Sequence, residues 1–230
     1  LKRCAKSCER IGVFALNFVD AAGNTGPAGF RYVVSEVRKA APGLNIGIHA
    51  HNDLGLATAN ALAGVEAGAA QVDVTVNGVG ERTGNATMAE VVVALEALYG
   101  VHTGIKLEKL TPLSKIFAEM ANWPIPKDKP LVGEYAFTDS AETHSFLLQA
   151  DPLLFAPIRP EIVGNERRSH LGLKSGVNTL KMRLQELGIT PLSEDKLPSL
   201  MAIIKSELWL RRRPLTEEEM RNCVNKIGND

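Results

Sequence analysis

His49 and His51, in the stretch "NIGIHAHNDLG", are two of the chain's five histidines. In an extended segment successive side chains alternate, so residues i and i+2 leave the same face, about 6 to 7 Å apart at Cα. Two imidazoles so spaced can turn ring nitrogens onto one divalent cation, which would act as a Lewis acid on a carbonyl. The same spacing suits two polar strand-end residues satisfied by their neighbours, and the pair alone does not choose between the readings. A second stretch, "VNGVGERTGNAT", supplies Gly78, Gly80 and Gly84, where the backbone can turn sharply and approach a ligand. It also supplies Asn85, whose amide oxygen suits a hard cation and whose amide nitrogen can donate to a substrate oxygen. The loop lacks the lysine and the spacing of a phosphate-binding P-loop.

Both stretches sit where strand-like runs give way to helical patterns. Gly12–Asp20 is followed by a Gly/Pro turn and by Phe30, Val33, Val34 and Val37 at helical spacing. Leu44–His49 leads to Leu54, Leu56, Ala59, Leu62 and Val65. Gln71–Gly80 leads through "ERTGN" to a helix over Thr87–Leu98. Strand and helix alternating at this spacing predict βα units on a parallel sheet, which sets the two loops side by side at one end. Leu44, Ile46 and Ile48 oppose Asn45, Gly47, His49 and His51, while Val72, Val74 and Val76 oppose Asp73, Thr75 and Asn77. One apolar and one polar face per strand suits a barrel interior near its active-site end better than a sheet buried on both faces. Past Gly104 the pattern becomes helical, over Pro112–Asn122, Lys174–Leu187, Lys196–Arg211 and Thr216–Ile227, with Pro-rich connections.

Composition narrows the partners. Basic and acidic residues balance at 26 each, so no global field draws the chain to nucleic acid, and "RRRP" at Arg211–Pro214 reads as a solvated helix end. No apolar run reaches the roughly 18 to 20 residues that cross a bilayer, so no membrane partner is expected. Cys4, Cys8 and Cys223 cannot complete a disulfide set, which fits a reducing, cytoplasmic compartment. Cys4 and Cys8, at i,i+4 on a helical pattern, leave a thiol metal site as a lesser alternative. The chain opens at Leu1 inside that pattern, which predicts a missing N-terminal segment.

The stretch "GIHAHNDLGLATANALAGVEAGAAQVDVTVNGVGERTGN" resembles the 2-isopropylmalate, homocitrate and citramalate synthases, because H-x-H-N-D-x-G and G-x-G-E-R-x-G-N occur together and in order. Weaker similarity at "LVGEYAFTDSAETH" and "PEIVGNERRSHLGLKSG" extends the match over most of the chain. The resemblance implies an α/β fold, the C-terminal portion (about strands 6–8) of a (β/α)8 TIM barrel over residues 1–104. A mostly helical appendage over residues 105–230 would follow, similar to the linker subdomains that mediate dimerisation, so a homodimer is implied. His49, His51 and Asn85 are implied ligands of a divalent metal, with Mn, Zn and Mg all open. The implied reaction is a Claisen-type condensation of acetyl-CoA with a 2-oxo acid. The GERTGN loop favours this branch over hydroxymethylglutaryl-CoA lyases.

Three departures bear on that expectation. The family's first-strand Asp-Arg-Glu signature, which supplies a third protein ligand, does not occur, so an N-terminal half would have to complete the site. Ala21, in Asp20-Ala21-Ala22-Gly23, stands where the family has a threonine that helps hold the 2-oxo acid; Asn24 and Thr25 are candidate substitutes. Asp139-Ser140-Ala141-Glu142-Thr143-His144 stands where many members read His-Glu-Ser-Gly-Ile-His. His144 is then the implied catalytic acid–base group, with Glu142 a weaker candidate and a surface histidine the alternative, while His102 and His170 read as structural or exposed. A lyase or aldolase on the same barrel, and a non-catalytic binding or assembly subunit, remain the competing functions.

Overall fold

The computed structural model describes residues 1–151, 153–190 and 192–228. The chain divides into two compact units, Leu1–Ile125 and Pro126–Asp230.

The first unit is α/β. Helix α1 (Lys2–Arg10) precedes β1 (Ala15–Asp20), α2 (Pro27–Ala40), β2 (Asn45–Ala50), α3 (Ala57–Glu66), β3 (Gln71–Asp73), α4 (Met88–Tyr99) and α5 (Leu110–Met120). The three strands form a parallel sheet in the order β1-β2-β3. The apolar side of each strand faces the helices: Ile46, Ile48 and Ala50 are buried, against Phe30, Val34 and Val37 of α2 and Ala57 and Ala61 of α3. Each aliphatic side chain so removed from water contributes roughly 1.5 to 3 kcal/mol. Phe18 of β1 meets Phe30 edge to face, ring centres 5.0 Å apart. Proline at the first turn of α2 starts that helix without losing a needed hydrogen bond.

The third strand is shorter than its valine alternation predicts. Pairing stops at Asp73, and Asn77 takes a left-handed φ of 58° inside a single 3-10 turn over Val76–Gly78. Asparagine tolerates that conformation better than a β-branched residue does. The chain thereby bends back, so that Thr75 bridges Thr87 and Asn85 bridges His51.

The second unit contains β4 (Thr138–Asp139), α6 (Glu142–Ala150), β5 (Arg168–Ser169), α7 (Val177–Glu186), α8 (Leu197–Arg211) and α9 (Glu217–Gly228). Its two short strands pair in parallel. Leu180, Leu184, Leu197, Leu200, Ile204, Met220 and Cys223 make its core. The strands and α6 were not expected, because two-residue strands carry no periodicity. Among the described residues no helix is long and apolar enough to cross a membrane.

Candidate metal centre

The first unit gathers its reactive side chains where the parallel strands end. His49 is the penultimate residue of β2, and His51 follows it as an isolated antiparallel bridge partner of Asn85. The chain is therefore still extended at position 51, and the two rings leave the same side. Their Nε2 atoms stand 3.3 Å apart, with ring centres at 5.0 Å. Two nitrogens on one tetrahedral ion with bonds of about 2.0 to 2.1 Å lie about 3.3 to 3.4 Å apart, so the spacing fits a shared cation. With no cation between them the same spacing fits an N–H···N bond.

A further observation favours a ligand at this point. His51 and Asn85 are buried, and among the described residues His51 Nδ1 and Asn85 Oδ1 have no hydrogen-bond partner. A buried polar atom left unmatched costs about 1 to 3 kcal/mol, so the Asn85 oxygen, on the residue bridged to His51, marks bonding capacity kept for a ligand, whereas His51 Nδ1 lies on the far side of the ring from Nε2 and does not face the same ion. Among the described residues no group of three His, Cys, Asp or Glu side chains converges as a cation site. The donor set here is two imidazoles and an amide oxygen, and it would need completing by further oxygens.

Neighbouring residues orient this set. The register places His49 beside Asp73 of β3, and His49 Nδ1 lies 3.4 Å from Asp73 Oδ2. Gly47, one step along the same face, leaves room for Asn17 of β1 to lie across it, and Asn17 Nδ2 donates to Asp73 Oδ2 at 3.4 Å. A carboxylate behind the Nδ1 atom of a ligating histidine directs Nε2 outward and raises its basicity. Parity alone had put Asp73 on the polar face, but only the register reveals that it stands against His49.

A second device ties the strand-end loops together. Arg82 grips Asp53 through two nitrogens, at 2.7 and 3.0 Å, and donates to the Ala21 carbonyl at 2.8 Å. The loops after β1, β2 and β3 thus share one guanidinium, whose flat fork suits a carboxylate. The Arg82 guanidinium beside Asp53 holds that carboxyl below the usual carboxylate range. The loop after β1 is closed by Asp20, which accepts from the backbone of Asn24 and Thr25 at 3.4 and 3.0 Å. Asn85 is aimed by its own backbone, which donates to Gly78 at 3.0 Å, while Asn52 donates to Gly84 at 2.9 Å.

The other expected residues lie in the second unit. His144, in the first turn of α6, has Nδ1 2.6 Å from Asp139 Oδ2 and stacks on Phe155 with ring centres 4.1 Å apart. Glu142 is engaged elsewhere: it accepts from the backbone of Gly176, Asn178 and Thr179 and from the Thr179 hydroxyl, at 2.8 to 3.1 Å. Burial alone would raise its carboxyl, but these donors at the start of α7 outweigh that and leave it below the usual range. A carboxylate so held is a helix cap rather than a proton carrier. His170 is packed edge to face against Tyr135 at 4.6 Å. Cys4 and Cys8 bring their sulfurs to 4.0 Å on α1, without a disulfide.

A family model described as HMGL-like matches residues 1–117. A second, described as homocitrate synthase post-HMGL domain-like, matches residues 131–208. The chain is 39% identical over 222 residues to a putative (R)-citramalate synthase of Methanopyrus kandleri, covering 96% of this chain and 43% of that protein. It is 41% identical over 206 residues to a 2-isopropylmalate synthase of Sulfolobus acidocaldarius, covering 90% and 53%. It is 36% identical over 227 residues to a homocitrate synthase of Methanopyrus kandleri, covering 99% and 56%. The chain spans about half the length of the curated relatives it matches.

Proposed function

The chain belongs to the HMGL-like family, and from that premise we propose that it is part of a metal-dependent enzyme condensing acetyl-CoA with a 2-oxo acid. The relatives named as citramalate, 2-isopropylmalate and homocitrate synthases support the reaction class. The observation that carries the reading is the 3.3 Å approach of His49 and His51 Nε2, with Asn85, bridged to His51, holding an amide oxygen that has no partner among the described residues. In this reading residues 1–104 are about strands 6–8 of a (β/α)8 barrel and residues 105–230 are helical linker subdomains that dimerise. An N-terminal half supplies the remaining strands and ligands. The three free cysteines suit a reducing, cytoplasmic setting.

Each residue then has a task. A divalent cation, when bound, supplies Lewis-acid polarisation of the 2-oxo acid's carbonyl. His49, His51 and Asn85 are the residues that would hold it. Asp73 keeps the Nδ1 proton of His49 turned away from the ligand, and Arg82 holds the loops that carry His51, Asn85 and Ala21 in one arrangement. Ala21 offers no hydroxyl to the 2-oxo acid, so that contact falls to Asn24 and Thr25 of the same turn, the candidate substitutes. His144 is the acid–base group that moves a proton at the acetyl methyl or at the thioester.

Thiol release from acetyl-CoA tests the proposal. It would be followed with the gene product, any preceding barrel segment supplied, across pyruvate, 2-oxoisovalerate, 2-oxoglutarate and oxaloacetate with and without Mn²⁺. Release with one acid, abolished by chelation, is the expected result and identifies the substrate. Absence of release with all four overturns the condensing reading; cleavage of a 3-hydroxyacyl-CoA would then assign a lyase, and no turnover at all a binding subunit.

A further inference from the structure

We infer that Asp139 is the positioning residue for His144, fixing the imidazole proton on Nδ1 so that Nε2 is presented as the basic atom; the inference rests on the acid–base reading of His144. A carboxylate accepts hydrogen bonds and donates none, so the 2.6 Å contact between Asp139 Oδ2 and His144 Nδ1 puts the proton on Nδ1. The carboxylate is itself immobilised. Its other oxygen, Oδ1, accepts from the Ala141 backbone at 3.0 Å and closes the turn into α6, whose N-cap residue has no side-chain oxygen. Asp139 is paired with Ser169 in β5, and the Ser169 backbone donates to both oxygens of Glu186 on α7, at 2.9 and 3.1 Å.

The helix that carries His144 is fastened by a separate route. Glu142, two residues earlier, caps α7 through Gly176, Asn178 and Thr179. The face of Phe155, inclined by only 16° to the imidazole, sets the plane of the ring. Strand pairing, the helix cap and the aromatic face thus hold Asp139 and His144 in one orientation. Nε2 has no partner among the described residues, and the His144 side chain is 41% exposed. An aspartate that orients a histidine from behind sets its tautomer and stabilises the charge that develops on it.

The experiment reads the proton directly. Long-range ¹H–¹⁵N spectra of the histidine-labelled chain would be recorded on the neutral imidazoles, with His144 assigned through His144→Gln. The expected result is a proton on Nδ1 in the wild-type chain that moves to Nε2 in Asp139→Asn. Asparagine keeps the oxygen that caps Ala141 and loses the acceptor-only carboxylate. A proton on Nε2 in the wild-type chain, or one unmoved in Asp139→Asn, overturns the inference, and the wild-type spectrum alone suffices if the variant does not fold. In the assembled enzyme Asp139→Asn should lower kcat about 100-fold or more with KM for acetyl-CoA unchanged. Full activity of His144→Gln would remove the acid–base reading instead, leaving the tautomer result standing by itself.

Discussion

The candidate residues of the two units are bonded differently. In the first, the strand ends leave His51 Nδ1 and Asn85 Oδ1, on bridged residues, unmatched among the described residues. In the second, Glu142 satisfies four donors at once, and Glu186 takes the Ser169 backbone N–H on both its oxygens. Closed networks of the second kind stabilise a scaffold, whereas unmatched capacity costs stability and is retained where a ligand repays it. His144 marks the boundary between the two behaviours, because one ring nitrogen is paired and the other has no partner among the described residues.

Matched glycine variants should separate the units most sharply. Gly84 has φ of 90°, and a Cβ there would lie 1.9 Å from the Gly78 carbonyl oxygen; Gly188 has φ of 60° with nothing within 4 Å. Gly84→Ala should therefore cost about 3 to 5 kcal/mol and disable the loop that carries Asn85. Gly188→Ala, with strain but no clash, should cost about 1 to 2 kcal/mol. Equal urea midpoints for the two variants would remove the distinction.

Arg82→Lys keeps the charge and loses the fork that joins three loops. Metal affinity should weaken about tenfold by calorimetry, the size expected when an outer support of a metal ligand is lost. Glu142→Ala makes the complementary cut: it strips the cap from α7, costs about 1 kcal/mol in urea denaturation, and should leave metal affinity at the wild-type value. A fall in affinity with Glu142→Ala would mean that the second unit's cap also supports the metal site.

Acid should act on the units in different ranges. Burial, with Arg183 next, depresses the His170 imidazole, so between that lowered value and about pH 6.5 the unfolded chain binds the extra proton. Stability therefore rises with pH through that window, and His170→Gln should flatten the slope there. Asp53 is shifted the other way, by Arg82. Its contribution is present above about pH 4 and is lost as pH falls through the lowered value, below the window for His170. Urea midpoints across this range, in wild type, His170→Gln and Asp53→Asn, check both signs.

Much of the first unit was legible because burial imposes a period. Phe30, Val34 and Val37 repeat at helical spacing and Ile46 and Ile48 at strand spacing, and the same parity that buries the isoleucines sends His49 and His51 out together. Contacts that depend on register or on a local reversal were not legible. Asp73 meets His49 only through the β2–β3 pairing, Arg82 meets Asp53 across 29 residues, and the third strand ends where Asn77 turns left-handed. In the second unit β4 and β5 are two residues each, so the partnership of Asp139 with His144 had no pattern to announce it. Glu142 shows the converse: its type suggested proton transfer, and its position at the start of another helix makes it a cap.

Calorimetric titration of Mn²⁺ and Zn²⁺ into the 230-residue chain, beside His49→Ala and His51→Ala, tests the metal centre most directly. A cation held by these imidazoles requires saturable binding by the wild-type chain, weakened about 100-fold or more in each variant. Unchanged affinity in both variants would contradict it.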